Sequence, residues 1–519
     1  MIEAVELELF TNRFRAIAEE MGEQLRRTAI STNIKERLDY SCALLDPAGE
    51  LIANAPHIPV HLGAMSLCVR RVLAELEPHP GDVFVTNHPA FGGSHLPDIT
   101  VITPVFDEAG GALLGIVANR AHHAELGGTR PGSMPPDATR LSEEGIAIAP
   151  FRLIEGGAPQ WDKMEHLLRA GPWPSRAPEQ NLADLRSAVA ANKRGEAALR
   201  ALCREFGTAE IHRRMEDLKA LSERRVRAVL AERAGMRAGM RAEAVERLDD
   251  GSPIAVAIAF EADGSARFDF AGTGAVHPRN LNATPAIVSS AVVYVLRLMV
   301  REDLPLNEGF LHPVQLALPP GCLLNPGFTD PAGAPAVGGG NTEVSQRLVD
   351  ALIRALGLGA CGQGTMNNVL FGNARFGYYE TIGGGAGAGG GFRGADGVQV
   401  HMTNTKITDP EVLEQRFPVR LRAFHLREGS GGAGRWRGGE GLVREYEFLE
   451  PVSISLITQH RGEAPYGADG GEPGAVGRQT VRRAGGREEP VEGCATLELG
   501  PGDRLRVETP GGGGWGKID

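Results

Sequence analysis

The sequence predicts an α+β fold in which helices pack on antiparallel sheets. Helical periodicity covers roughly residues 3–32 and 181–241, whereas most other segments are short hydrophobic runs that end in glycine-rich turns. Because helices and strands do not alternate regularly along the chain, a parallel β/α architecture is not expected. We predict four regions: an N-terminal α+β region (1–180), a helical arm (181–250), an α+β region with glycine-rich loops (251–410) and a β-rich C-terminal region (411–519).

Local patterns predict the individual elements. Apolar residues from Val5 to Leu25 recur at spacings of two to four, which is typical of an amphipathic helix. Two short strands then flank the turn 46–49. The arm at 181–241 has the pattern of a helical hairpin with mostly solvated charged faces. The later elements are a strand hairpin around residues 262–264, a buried helix capped by Asn282 or Thr284, a helix starting near Thr342, and strands to the end of the chain.

Composition restricts the class of protein. A hydrophobic content of 42% and a charged content of 23% are typical of a globular protein, and the net charge of −11 argues against nucleic acid as a partner. The six cysteines form no CxxC pair, which favours a reducing compartment. The sequence shows neither the pattern of a signal peptide nor an apolar run long enough for a bilayer. We therefore expect a cytoplasmic enzyme without a membrane partner.

Histidines and carboxylates are concentrated between residues 82 and 125. His95 and Asp98 precede one β-like run, and His122 and His123 follow the next, with the glycine-rich turn 107–111 between them. An antiparallel hairpin folded about residue 109 places Asp98 opposite Ala121 or His122. Imidazole and carboxylate groups that converge on a rigid sheet edge are the ligands of a divalent transition metal such as Mn, Fe or Zn.

Two alternatives stay open for this group. The segment GGSHLPD is also compatible with a simple turn, in which His95 and Asp98 bond to the backbone. The clustering of His and Asp residues favours a metal or catalytic centre over that interpretation. A slip of one residue in strand register would exchange His122 and His123, so the sequence leaves both as candidate ligands.

Further candidate residues lie upstream. Pro59 is near the first turn of a predicted helix at 62–76, so His57 and His61 flank a helix N-terminus, which stabilises anions. His61 is equally compatible with a structural position at the helix entrance. Glu36 and Asp39 precede the first predicted strand.

The glycine-rich segment GGGNTE opens onto a helix whose N-terminus could hold an anion. It lacks the Lys-Ser/Thr pair of a P-loop, so it is not a nucleotide-binding loop of that type.

Several long motifs resemble the hydantoinase B/oxoprolinase family. They are NIKERLDYSCALLDPAG, HIPVHLGAM, VFVTNHPAFGGSHLPDITVITPVF, AHHAELGGTRPGSM, GGGNTEVSQRLVDALIRALG and TPGGGGWG, and they extend from the first helix to the last ten residues. The family includes B subunits of ATP-dependent N-methylhydantoinases, the C-terminal half of 5-oxoprolinases, and related subunits of acetone and acetophenone carboxylases.

The resemblance implies an ATP-dependent enzyme divided over two chains, a hetero-oligomer in which a hydantoinase A-type partner of the actin-like ATPase class uses the ATP. In the acetone carboxylase relatives the corresponding subunit holds a manganese-type metal with His and Asp. The resemblance implies that the metal ligands on this chain are His95 and Asp98 of the motif HLPD, together with His122 or His123 of the motif HH. The family generally has Asp where this chain has Glu125, which weakens any ligand role at that position.

The function expected from the resemblance is that of the B-type component of a hydrolase that opens a hydantoin, 5-oxoproline or lactam ring. Glu36 or Asp39 would be the general base, and His57 and His61 would hold the anionic intermediate. The alternatives are a carboxylase subunit and a noncatalytic scaffold for the ATPase partner.

Overall fold

The computed structural model describes residues 2–55, 58–236, 241–328 and 333–518, and within them the chain has an α+β fold with four mostly antiparallel sheets. The predicted fold class is therefore confirmed. The helices are α1 (Ile2–Thr28), α2 (Thr32–Lys35), α3 (Leu62–Glu75), α4 (Leu141–Glu144), α5 (Trp161–Arg169), α6 (Pro178–Phe206), α7 (Thr208–Met236), α8 (Pro285–Met299), α9 (Ser345–Leu356) and α10 (Pro410–Arg416).

The strands belong to four sheets in chain order. The first has β1 (Tyr40–Leu45), β2 (Leu51–Asn54), β3 (Val83–Thr86), β4 (Asp98–Phe106), β5 (Leu113–His122), β6 (Phe151–Glu155) and β7 (Ala158–Pro159); the second has β8 (Ala242–Arg247), β9 (Pro253–Phe260), β10 (Ala266–Asp269) and β11 (Val314–Ala317). The third has β12 (Asn368–Asn373), β13 (Phe376–Glu380), β16 (Val452–Ile457) and β19 (Cys494–Leu499). The fourth has β14 (Val419–Arg427), β15 (Gly441–Phe448), β17 (Arg478–Arg482), β18 (Glu488–Val491) and β20 (Arg504–Glu508).

The first sheet, in the order β2-β1-β5-β4-β3-β6-β7, contains the predicted hairpin at its centre. Strands β4 and β5 pair in antiparallel register with Asp98 opposite His122, and the Asp107 side chain accepts a hydrogen bond from the Gly111 N–H in the turn. The hairpin prediction and one of its two proposed registers are thus confirmed. Both faces of these strands are buried, which fixes the register strongly.

Helices cover both faces of this sheet. On one face α1 and α6 pack together, and Gly195 of α6 lets Met21 approach so closely that a Cβ there would lie 2.3 Å from the Met21 Sδ. On the other face α3 covers β1 and β5. Leu185 of α6 is fully buried in this core, which stabilises the packing by about 1.5–3 kcal/mol. The division of the chain into four regions stays a prediction.

The second sheet, ordered β11-β10-β9-β8, packs against α8 and α9 and includes one parallel pair, β10 with β11. The predicted hairpin of β9 and β10 is confirmed. Thr284 occupies the N-cap position of α8, but among the described residues its side chain makes no capping hydrogen bond. The helix predicted near Thr342 begins differently, because a π-helical turn at Gly340–Val344 precedes α9. The third sheet (β13-β12-β16-β19) and the fourth (β14-β15-β20-β17-β18) enclose a shared core, which confirms the β-rich C-terminal prediction.

Extended glycine-rich segments stack beside these sheets. They are residues 384–389, 394–397, 431–439, 466–474 and 511–515, and we call them the glycine layer. Their backbones bond directly to one another: Gly432 N–H donates to Gly512 O (2.8 Å), and Gly512 N–H donates to Gly439 O (2.9 Å). A Cβ on Gly512 would lie 1.9 Å from Ala386 O, so close approach of backbones requires glycine there.

Across the described ranges, every helix is too short or too polar to traverse a lipid bilayer.

Candidate metal centre

The open end of the β4–β5 hairpin carries the candidate metal centre. The loop before β4 is held by Asn87, whose side chain donates to Leu96 O (2.7 Å) and accepts from Ile148 N–H (2.7 Å). Gly93 lies in the same tight fold, since a Cβ there would be 2.2 Å from Asn87 O. This loop fixes His95 beside Asp98, and the strand register brings His122 to the other side.

Three ligating atoms converge at this point. His95 Nε2 lies 3.3 Å from Asp98 Oδ1 and 3.3 Å from His122 Nδ1, and His122 Nδ1 lies 3.5 Å from Asp98 Oδ1. All three residues are at most 2% exposed. Among the described residues, Asp98 Oδ1 accepts no hydrogen bond. Ligands of a tetrahedral ion with bonds of about 2.0–2.1 Å lie about 3.3–3.4 Å apart, so these residues fit a divalent metal such as zinc.

The second oxygen of Asp98 is fixed by two donors. Ser94 Oγ donates to Asp98 Oδ2 (2.6 Å), and His61 Nε2 lies 3.1 Å from the same oxygen. The Ser41 hydroxyl lies 2.9 Å from His61 Nδ1 and can donate to it when the proton of the ring is on Nε2. Burial would raise the pKa of Asp98, but the imidazoles of His95 and His61 hold that pKa well below its usual value. Asp98 is therefore an oriented carboxylate.

Aromatic and amide groups from distant segments close the site. The Tyr379 ring stacks on His122 with centroids 4.6 Å apart, and the Arg37 guanidinium lies 4.8 Å from the Tyr379 centroid. Asn341, in the π-helical turn, has its Nδ2 3.4 Å from His95 Nε2. Burial lowers the pKa of His122, which favours the neutral ring, the form that binds metals.

The structure places His123 outside this group. Its Nδ1 lies 3.3 Å from Asn181 Nδ2, on the side of α6, and burial lowers its pKa to about 4. Asp98 pairs with His122 in the strand register. Because adjacent side chains of a strand point to opposite faces of the sheet, His123 points away from Asp98.

The other predicted residues are placed as follows. Asp39 is buried and its carbonyl accepts the His122 N–H (3.0 Å), while its carboxylate lies 3.8 Å from Arg37. Glu36 is half-buried at the end of α2, and no hydrogen bond or ion pair in the described ranges joins it to the metal-binding group. His57 lies outside the described residues.

The Glu125 carboxylate accepts a hydrogen bond from the Gly127 N–H and forms an ion pair with Arg176 (3.0 Å). Its contacts therefore hold the loop after β5.

Sequence reasoning missed Ser94, Ser41, Asn341 and Tyr379 as parts of this site. Ser94 is four residues before Asp98, so its proximity was available as a local signal. Asn341 and Tyr379 come from segments more than two hundred residues away, and no local pattern places them here.

The fold and the site together define an α+β protein with a buried group of two histidines and one aspartate that could hold a metal ion. The chain belongs to the hydantoinase B/oxoprolinase family, whose sequence model matches residues 3–518.

Known relatives agree with this assignment. The chain is 46% identical over 538 residues to 5-oxoprolinase 1 of Arabidopsis thaliana, covering 99% of this chain and 42% of that protein. It is 27% identical to a protein of Pseudomonas sp. strain NS671 described as the B component of a D-/L-hydantoinase, covering 99% of this chain and 90% of that protein. The crystal structure of ATP-dependent caprolactamase from Pseudomonas jessenii matches with a TM-score of 0.86 and 26% identity, covering 99% and 91% of the two chains. The chain thus spans about two fifths of the oxoprolinase but nearly all of the hydantoinase component.

Proposed function

We propose that this chain is the B-type component of an ATP-dependent cyclic-amide hydrolase that opens a hydantoin, 5-oxoproline or lactam ring. The observation that carries the proposal is the triangle of His95, Asp98 and His122 atoms, with sides of 3.3–3.5 Å, in a fully buried setting. The relatives named for 5-oxoprolinase and caprolactamase activity support the same substrate class.

A partner that handles ATP follows from the same comparison. The chain corresponds to 42% of the Arabidopsis 5-oxoprolinase and to nearly the whole of the Pseudomonas hydantoinase component. The remaining part of the longer oxoprolinase would correspond to a separate hydantoinase A-type ATPase chain. We therefore propose a hetero-oligomer in which the partner uses ATP to phosphorylate the substrate.

The chemistry explains why two components are needed. The carbonyl of an unstrained amide is a poor electrophile, and phosphorylation of its oxygen creates a leaving group. This chain would then bind the phosphorylated intermediate away from bulk water and supply a nucleophile. A divalent metal bound by His95, Asp98 and His122 would lower the pKa of a coordinated water toward neutrality.

The side chains around this group have distinct roles in the proposal. Asp39 is favoured as general base, because it is buried and its main chain is bonded to His122, whereas Glu36 is half-exposed. His61 and Ser94 orient Asp98 through its second oxygen. The role of His57 and His61 in holding an anionic intermediate stays a prediction.

The test is turnover of the complex reconstituted with a hydantoinase A-type partner. His95→Ala and Asp98→Ala should lower substrate-coupled ATP hydrolysis by at least about 100-fold, because loss of a ligand should exceed the effect of losing an outer hydrogen bond. Complex assembly, measured by size-exclusion chromatography, should be unchanged. His79→Ala is the matched control, because its imidazole is 59% exposed on the surface.

Other outcomes separate the alternatives. ATP hydrolysis that depends on bicarbonate and a ketone, with none on a cyclic amide, would identify a carboxylase component. Purified wild-type protein without stoichiometric Mn, Fe or Zn, together with full turnover of the Asp98→Ala complex, would support a scaffold and refute the metal role.

A further inference from the structure

A second group of ligating side chains lies where α9 meets the glycine layer. Asp350 belongs to α9, Cys361 follows that helix, and His460 follows β16. One carboxylate oxygen, the Cys361 Sγ and one ring nitrogen lie within 4.8 Å of one another, and all three side chains are at most 1% exposed. Cys361 Sγ is 3.6 Å from His460 Nε2. Three separate segments of the chain therefore present one ligand each to a single point.

A glycine packs closely against two of these ligands. A Cβ on Gly364 would lie 2.5 Å from His460 Nε2 and 2.6 Å from Asp350 Oδ2. Within the part of the chain that the structure describes, Asp350 Oδ2 has no hydrogen-bond partner. A fully buried carboxylate oxygen without a donor is unfavourable, and bonds from zinc to such ligands are about 2.0–2.3 Å long. The group thus contains an unpaired, fully buried carboxylate oxygen among its ligand atoms.

Outer hydrogen bonds orient the ligands toward this position. His460 Nδ1 lies 2.6 Å from Glu463 O and donates to it, so that Nε2 carries the lone pair that faces the group. His401 Nε2 lies 2.9 Å from Asp350 Oδ1 and leaves Oδ2 for the ligand position. Histidine and carboxylate ligands of metals usually have such second partners. His401 and His460 also have left-handed backbones, with φ of 54° and 56°, and such strained backbones occur preferentially at functional sites.

A bound cation would have to displace a buried guanidinium from His460. Arg347 is fully buried and places a nitrogen 2.5 Å from His460 Nε2, while its other terminal nitrogen lies 3.3 Å from Asp249 Oδ1. The guanidinium therefore supplies the positive charge beside His460 before an ion binds. A divalent ion would displace the proton of Cys361, which leaves to solvent, and would move Arg347 fully onto Asp249. One thiolate and one carboxylate then neutralise the ion.

We propose that Asp350, Cys361 and His460 form a structural site for a thiophilic divalent cation, with zinc as the expected ion. Sulfur, imidazole and carboxylate ligands together suit zinc better than magnesium or calcium. A bound ion would join α9, the segment after it and the loop after β16. This inference is independent of the proposed hydrolase function, and neither one requires the other.

Cobalt tests the proposal because Co²⁺ bound to a thiolate absorbs differently from Co²⁺ bound to nitrogen ligands. The full chain is stripped of metal with a chelator and titrated with Co²⁺. We expect a thiolate-to-cobalt charge-transfer band in the near ultraviolet that disappears on addition of Zn²⁺ and that, in a His95→Ala background, saturates at about one equivalent. The centre at His95, Asp98 and His122 has no sulfur, so it cannot produce this band, and His95→Ala should retain it.

Matched variants complete the test. Cys361→Ala should abolish the band, whereas Cys494→Ala, which removes a half-buried thiol outside this group, should keep it. Asp350→Asn keeps the thiol and should weaken Co²⁺ affinity by about 10-fold or more. Circular dichroism identifies variants that fail to fold. If Cys361→Ala does not fold, the Co²⁺ affinity of Asp350→Asn decides the outcome. Absence of the band in the wild-type chain, or its persistence in a folded Cys361→Ala variant, would overturn the proposal.

Discussion

Ser94 offers a sharp test of how the metal-binding carboxylate is oriented. Its hydroxyl donates a 2.6 Å hydrogen bond to Asp98 Oδ2, and both side chains are buried. Ser94→Ala removes this donor and leaves the triangle of His95, Asp98 and His122 intact. The carboxylate should then rotate more freely and bind a metal less tightly, with little change in the fold.

The magnitude can be worked out from the contacts. A hydrogen bond to a charged group is worth about 1.5–3 kcal/mol, and about 1.4 kcal/mol corresponds to a factor of ten in affinity. Loss of an outer partner typically lowers metal affinity by about 10- to 100-fold. Because His61 still donates to the same oxygen at 3.1 Å, we expect the lower end, about 10-fold, for Ser94→Ala.

Competition with a chromophoric chelator, in a Cys361→Ala background that removes the second candidate site, measures this affinity for Zn²⁺ and Mn²⁺. Ser175→Ala is a suitable control, because Ser175 also makes a buried 2.6 Å bond, to Asn181, outside the metal-binding group. It should lower thermal stability and leave Zn²⁺ affinity within about twofold of wild type. Equal affinities for wild type and Ser94→Ala would refute the argument that Ser94 orients the ligand.

Further predictions concern the site, a buried acid and the glycine layer. His122→Asn should lose tight binding of Zn²⁺ at the hairpin, whereas His123→Asn should retain it, as measured by chelator competition; the reverse result would show that the other register is correct. Burial raises the pKa of Glu144 from 4.5 to about 8, so its contribution to stability is full below pH 4.5 and is lost as pH rises through 8. Thermal unfolding of Glu144→Gln should therefore depend less on pH between 5 and 8.5 than that of wild type, by up to about 5 kcal/mol, and parallel pH profiles would exclude this account. Gly512→Ala should destabilise the chain by about 3 kcal/mol or more in urea unfolding, because its Cβ would meet Ala386 O at 1.9 Å, whereas Gly500→Ala has open space and should stay within about 0.5 kcal/mol; similar effects of the two would contradict the close-packing argument.

Local patterns predicted much of the fold. The β4–β5 hairpin, the strands beside turn 46–49 and the first helix all depend on contacts between residues close in sequence, which periodicity and turn residues report directly. The π-helical turn at Gly340–Val344 was not predictable, because the hydrophobic pattern of a π-helix over five residues is indistinguishable from that of an α-helix.

The candidate metal centre likewise has one part that local sequence predicts and another part that depends on remote segments. His95, Asp98 and His122 come together through one hairpin, so their convergence could be predicted, although only the three-dimensional register places His122 rather than His123 opposite Asp98. The stacking of Tyr379 and the approach of Asn341 depend on the packing of remote segments. The glycine runs were predicted as turns, and the structure shows in addition that many of them pack against other backbones.

The separation along the chain between the ligands and the groups that cover them affects how an ion is loaded. The hairpin residues span fewer than thirty positions and can meet early in folding, since short loops close quickly. Tyr379 and Asn341 arrive only when the C-terminal half docks, after which the ligands are sealed from solvent. Metal supplied during refolding should therefore enter much faster than metal added to the finished protein, and equal uptake rates would show that the native chain opens by another route.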